Sequence, residues 1–249
     1  MSDNPTLDTI TAIAGPTGTI GASFYFDPKT IAAGKELGLD GFRFYILGRA
    51  GVLGDVSPTV VSSAFGYFHP SMIEKLYTSA KETMDPLACG QAYFDECGRR
   101  GAEHFADVEG LDAYVEAADV VISNASPAGL PLFAGISDMR CSDETPAAAM
   151  QKAAVLRELR GSAHLCAVLA NGLTDAQAHA IKRPGDVAMF GWEEAPAVPI
   201  DGDERMAAAE DATNQMLMNA FFPLSEEQAA ALVAGTNAMA EALAGATAD

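Results

Sequence analysis

The residues best suited to chemistry lie in one run, Leu156-Arg157-Glu158-Leu159-Arg160-Gly161-Ser162-Ala163-His164-Leu165. If the run is helical, Arg157, Arg160 and His164 stand at i, i+3 and i+7, beside an apolar stripe of Val155, Leu159, Ala163, Cys166 and Leu169. Arg160 would bind an anion or carbonyl, and His164 would act as acid–base or ligand. Gly161 costs about 1 kcal/mol against alanine inside a helix. Its presence suggests close approach of another backbone or of a ligand. The competing reading is a helix flank tied by ion pairs, with Gly161 at a helix crossing.

A second group is Arg43, Tyr45 and Arg49, set in the otherwise apolar stretch Phe42 to Leu53. An unpaired buried guanidinium is very costly, so each arginine needs an acceptor. That acceptor is either a ligand carboxylate or phenolate, or an internal partner such as Asp55 or a helix C-terminus. A third group is aromatic: Phe65, Tyr67, Phe68 and His69, then Phe190 and Trp192, the single tryptophan. These rings either line a pocket or belong to the core. His69 is an acid–base or haem-ligand candidate, or a helix cap. His104, near a helix end, and His179, in a short polar helix, promise less. There is no Gly-rich phosphate loop, H-E-x-x-H or G-x-S-x-G. Cys89, Cys97, Cys141 and Cys166 have no zinc-ligand spacing and read as reduced thiols, so no metal site is expected.

Two of these groups fall within an echo. Gly38-Leu39-Asp40, Arg49, Gly54-Asp55-Val56 and Phe65-Gly66-Tyr67 return as Gly172-Leu173-Thr174, Arg183, Gly185-Asp186-Val187 and Phe190-Gly191-Trp192. Such self-similarity indicates one unit used twice, with room for a site between the copies. Arg183 ahead of Asp186 repeats Arg49 ahead of Asp55, which favours a structural Arg–Asp clasp in each copy.

The elements that must position these groups are helices. Asp27-Pro28, Ser57-Pro58, Asp85-Pro86, Ser126-Pro127 and Thr145-Pro146 each place a capping side chain before a proline at the first helical position. Helices are predicted over about 28–37, 40–50, 58–67, 70–82, 86–103, 109–124 and 146–170, then Asp203–Phe222 and Glu226–Ala244. Gly38, Gly51 and Gly172 are placed as C-terminal glycines, and Ser225 with Gln228 as a capping box. Short hairpins are expected only within 185–200. The class is all-α or mainly α. The segments are 1–84 and 145–200 as the two units, 85–144 as a helical connector and 201–249 as C-terminal helices, in one assembly.

Hydrophobic residues make up 49% of the 249, which excludes a disordered chain. No apolar run reaches the ~20 residues of a membrane span, and Met1 to Pro5 reads as no signal peptide, so a cytoplasmic protein is expected. The charge of −19, from 34 acids and 15 bases, argues against DNA as a partner. The Ala-rich C-terminal helices suit a homodimer surface.

The chain resembles a group of mostly actinobacterial proteins described as SalK-like or EvbL-like and classed as helix-turn-helix. The matching residues are Gly38 to Phe42, Gly48-Arg49-Ala50, Leu53-Gly54, Val60-Val61, Phe65 to Phe68, Pro127-Ala128-Gly129, Leu156-Arg157-Glu158, Arg160-Gly161, His164 and Phe190 to Trp192. The resemblance implies a duplicated, winged-helix-like helical fold and no established activity. Two departures stand out. Gly21 occupies a place where many relatives carry histidine, and Leu159, Ser162 and Ala163 replace their histidine, aspartate and glycine. The expected function is a small-molecule-binding protein or enzyme, with an arginine holding an anionic group and a histidine as acid–base or ligand. A transcriptional regulator and a haem protein, through His69 or His164, are the alternatives.

Overall fold

Cap-then-proline pairs open five of the helices, those starting at Pro5, Pro28, Pro58, Pro70 and Pro86, in the computed structural model, which describes residues 4–246. Residues 1–3, part of the segment read for a signal peptide, lie outside the described residues. The chain forms α1 (Pro5–Ala22), α2 (Pro28–Glu36), α3 (Gly41–Gly51), α4 (Pro58–Phe65), α5 (Pro70–Lys81), α6 (Pro86–His104), α7 (Leu111–Asn124), α8 (Pro131–Ser137), α9 (Thr145–Ala170), α10 (Asp175–Lys182), α11 (Gly202–Phe221) and α12 (Glu226–Ala246). A 3-10 turn, Val187–Phe190, follows α10. Among the described residues there is no strand, so the all-α class holds and neither unit carries a β hairpin. The hairpins expected within 185–200 are absent. Phe190 and Trp192 are engaged by the first unit instead, through the contacts described below. No described helix is long and apolar enough to cross a membrane.

The caps work as their chemistry requires. Asp27, Asp40, Ser57 and Asp85 accept backbone N–H bonds in the first turns of α2, α3, α4 and α6. His69 caps α5, its Nδ1 accepting from the Ser71 amide at 3.2 Å. Ser225 and Gln228 form the expected reciprocal box at 3.0 and 3.1 Å. Three signals were misplaced or unread. Asn4-Pro5 caps α1, which the sequence reading did not assign. Ser126-Pro127 opens a turn closed by Leu130 N–H on the Pro127 carbonyl, and α8 starts later at Pro131. Thr145 is the first residue of α9; its hydroxyl donates to Asp112 Oδ1 at 2.6 Å.

The two Gly-Leu pairs of the echo share one local geometry. α2 and α9 both end in a left-handed glycine, Gly38 (φ 82°) and Gly172 (φ 74°), followed by a buried leucine, Leu39 or Leu173. Each leucine amide bonds five residues back, to the Gly34 and Val168 carbonyls, the Schellman pattern. Gly51 plays no such part: it is the last residue of α3 and lies against α6.

The two units meet at their matching ends. His69 N–H donates to the Phe190 carbonyl at 2.8 Å, and Trp192 Nε1–H donates to the Tyr67 carbonyl at 2.7 Å. Phe68 stacks on Phe190 with centroids 4.3 Å apart, and Trp192 meets the His69 ring edge-on at 4.8 Å. Tyr67 is held at φ 57°, a conformation costly for a residue with a bulky side chain. The second unit fixes it from both sides, because Asp175 accepts its amide at 3.2 Å while Trp192 takes its carbonyl.

α9 is the axis of the molecule. At 26 residues it runs about 39 Å and packs against α1, α6, α7, α8 and α11. The main buried cluster draws on α1, α3 through α9, α11 and α12, from Ile10 to Leu243.

Candidate functional site

α9 carries two polar clusters on different sides. The first is buried and gathers around Glu158. Arg49 on α3 grips its carboxylate with both arms, Nε to Oε1 at 3.1 Å and Nη2 to Oε2 at 2.9 Å. Tyr25 Oη and Arg157 Nη1 also donate to Oε1, at 3.1 and 2.8 Å. Arg49 Nη1 donates to Tyr45 Oη at 2.9 Å, and its guanidinium lies 4.4 Å from the Phe65 ring centroid. Burial alone would push the Glu158 carboxyl up, but Arg49 and Arg157 outweigh it and hold the group below the usual carboxylate range. Burial likewise pushes the Tyr25 hydroxyl well above its ordinary value, so it stays protonated and donates.

Arg49 and Glu158 line an apolar cavity of about 20 Å³, shared with Phe24, Val52, Tyr93 and Leu132, with room for one water. The Arg49–Asp55 clasp expected from the echo does not form. Asp55 pairs with Lys81 instead, and the carboxylate on Arg49 comes from 109 residues away. In the second copy Arg183 and Asp186 stand 4.0 Å apart at the surface. Arg43 is also separate: Nε donates to Asp40 Oδ2 at 2.7 Å and Nη2 to the Gly38 carbonyl at 3.1 Å, tying down the start of α3.

The second cluster faces α11. Arg160 donates to Glu210 Oε2 at 2.6 Å and to Asn214 Oδ1 at 2.9 Å. His164 Nδ1 lies 2.9 Å from Thr213 Oγ1, which lies 2.6 Å from the Ala209 carbonyl. That carbonyl can only accept, so it takes the single hydroxyl proton of Thr213. Thr213 Oγ1 must then accept from His164, which fixes a proton on Nδ1. Nε2 is left as a bare lone pair, with Glu210 Oε1 at 3.9 Å. Burial lowers the His164 pKa, helped by Arg160 and Lys182 and opposed by Glu210, so the imidazole is neutral at pH 7.

The strained Tyr67 belongs to this neighbourhood. It packs against the buried cluster that includes Val168 and Ala209, and burial, then Asp175 and Glu210, push its hydroxyl above the ordinary value.

Between the clusters α9 is open. A Cβ placed on Gly161 would meet no atom within 4 Å, so neither a helix crossing nor a neighbouring backbone explains this glycine. Leu169, placed in the apolar stripe by spacing, is exposed, while Ala167 and Val168 beside it are buried, so at this end of α9 the covered side is the one they face. Thus the structure joins His164 with Arg160 through Glu210, and Arg49 directly with Tyr45 beside Glu158. His69 and Trp192 sit at the junction of the two units. His179, expected in a short polar helix, is buried with its ring 4.0 Å from that of Phe190. Glu158, Glu210 and Thr213 were not singled out by sequence reasoning. Among the described residues no group of three or more His, Cys, Asp or Glu is placed to hold a metal ion.

A helix-turn-helix family model matches residues 12–194. The chain belongs to this helix-turn-helix family. No match was found among curated proteins or among solved structures. The matched span covers the echoed stretches 38–67 and 172–192 and the whole of α9, and it ends before α11, which supplies Glu210 and Thr213. Half of the second cluster therefore comes from beyond the matched span.

Proposed function

We propose that this protein binds a small molecule on the open face of α9 and that His164 is the proton acceptor there. The observation that carries the reading is the hydrogen-bond chain from His164 Nδ1–H through Thr213 to the Ala209 carbonyl. It orients the ring, fixes one tautomer and leaves Nε2 free, which is what a general base needs. Glu210, anchored by Arg160, stands close enough to stabilise the imidazolium once Nε2 takes a proton. An arginine on the same face holds an anionic part of the ligand. The likeness to SalK-like and EvbL-like proteins supports the location: the place of their additional histidine is Gly21, where a Cβ would lie 3.0 Å from Arg157 Cβ.

The test is spectroscopic first. Long-range ¹H–¹⁵N NMR at pH 7 is expected to show a neutral His164 with Nδ1 protonated, titrating below the ordinary histidine value. Thr213→Val is expected to release the tautomer. For any compound the protein turns over, His164→Ala is expected to lower the rate by about 10²–10⁴-fold. An imidazolium at pH 7, or a proton on Nε2, removes the base.

A regulator is the second reading, favoured by the family description alone. Its chemistry is poor. α4 carries no charged residue, and α10 offers one exposed cation, Lys182. On α5, Lys75 is offset by Glu74 and Lys81 is paired with Asp55. Phosphate contacts need several clustered bases, so a low-salt gel shift is expected to show no DNA retention; a salt-sensitive shifted band would revive the regulator.

A further inference from the structure

We infer that the ligand on this face is a monoanionic carboxylate with an apolar or aromatic body, anchored by Arg157 and laid across Gly161 toward His164. The inference rests on the reading of His164 given above and adds the anchor and the ligand class.

The argument is one of charge, open donors and space. Two guanidiniums, Arg49 and Arg157, share one carboxylate, Glu158, so the cluster holds one surplus positive charge. The two arginines are not equivalent. All three nitrogens of Arg49 have acceptors, and its side chain is 13% exposed. Arg157 is hydrogen-bonded through Nη1, and its side chain is 27% exposed, which leaves the N–H groups of Nε and Nη2 as donors not taken up by a protein acceptor. Arg160 is already taken up by Glu210 and Asn214. Of the three arginines nearest the open face, Arg157 is therefore the one able to receive an anion. A guanidinium with two free N–H groups matches a carboxylate in the two-pronged geometry.

One added negative charge neutralises the cluster, whereas a dianion would leave an excess negative charge in a protein already at −19. The neighbouring surface is aromatic. The Arg157 guanidinium lies 4.9 Å from the Tyr25 ring centroid, and Phe26 packs at 5.1 Å from both Phe42 and Tyr45. Phe26 and Phe42 are exposed at the rim.

Spacing sets the length. Arg157, Gly161 and His164 follow one stripe of α9 at i, i+4 and i+7, and seven residues span about 10.5 Å of helix. The missing side chain at Gly161 leaves the path between anchor and base clear.

The test uses phenylalkanoates of increasing chain length, their neutral amides and phenyl phosphate, with the full chain. The Arg157 Nε–H and His164 imidazole signals are followed by NMR. Carboxylates are expected to shift the Arg157 signal at millimolar concentration, the amides not at all, and phenyl phosphate more weakly than the carboxylates. Chain lengths that reach across Gly161 are expected to shift His164 as well. Arg157→Gln is expected to weaken carboxylate binding at least tenfold. Because that change also alters the Glu158 cluster, Gly161→Leu is the second variant. It is expected to fold with an unchanged or higher midpoint and to lose binding of the longer carboxylates. Equal binding of amide and carboxylate, no shift of Arg157 with any carboxylate, or full binding by Gly161→Leu each overturns the inference. A carboxylate that shifts Arg157 but never His164, at any chain length, leaves the anchor standing and overturns its link to the base. A correct His164 tautomer without carboxylate binding does the reverse.

Discussion

Glu158→Ala is expected to cost the fold about 3–5 kcal/mol, the range for removing one partner of a buried ion pair. The carboxylate is 6% exposed and receives four donors, from Arg49, Arg157 and Tyr25. Removing it leaves two guanidiniums facing each other in a poorly hydrated space. The loss is one of charge as much as contact, so Glu158→Gln, which keeps the shape, is expected to recover only a minor part. Pairing Glu158→Leu with Arg49→Met removes both ions of the tightest pair and is expected to recover far more. Urea denaturation measures all four proteins. A loss below about 1 kcal/mol for Glu158→Ala, the range of exposed pairs, would show that water already reaches the cluster. The acid side follows from the same group. The folded pKa of Glu158 lies below its unfolded value of roughly 4.3. Its contribution is complete above that value and is lost as pH falls from there through the folded pKa. The Glu158→Gln protein is expected to lose less stability than the parent across that window.

This cluster also marks where reading the sequence succeeded and where it stopped. Arg49 needed an acceptor, and that much followed from its apolar surroundings. The acceptor could not be named, because Asp55 is near in sequence while Glu158 becomes near only when α3 and α9 cross. A local rule reaches only local partners, such as the Asp40 that Arg43 meets three residues away, and even that pair was not the one expected. Glu158 left a signal: it is the one acid among Arg157, Arg160 and His164, on a different side of the same helix. The helices themselves were legible wherever a cap preceded a proline, because that signal is complete within two residues. Asn4-Pro5 shows the rule reaching further than it was applied. Ser126-Pro127 shows its limit, since Gly129, at φ 76°, turns the chain before a helix can form. The second cluster was half visible for a similar reason. His164 and Arg160 could be picked out on α9, but the tautomer that gives His164 its role is set by Thr213 and Ala209 on α11.

The same substitution at two helical glycines is expected to give opposite signs, and the contrast separates what holds the site together from what keeps it open. A Cβ at Gly51 would stand 1.9 Å from the Pro86 carbonyl oxygen and 2.9 Å from the Gly90 amide nitrogen. Both are backbone atoms of α6, so no rotamer change can relieve the overlap; α3 and α6 must move apart. Overpacking a core typically costs about 1–3 kcal/mol, and a backbone clash places Gly51→Ala at about 3 kcal/mol or beyond. Arg49 lies two residues earlier on α3, so displacement of α3 also pulls its guanidinium off Glu158. At Gly161 a Cβ meets nothing within 4 Å, and the helix gains about 1 kcal/mol from alanine's better propensity. Gly161→Ala is therefore expected to raise the unfolding midpoint that Gly51→Ala lowers. Stability by itself favours a side chain at Gly161. The glycine there is a cost borne on the face between Arg157 and His164, where a ligand needs the room. If Gly161→Ala destabilises the protein instead, α9 is closed at that point, and the path from Arg157 to His164 is blocked.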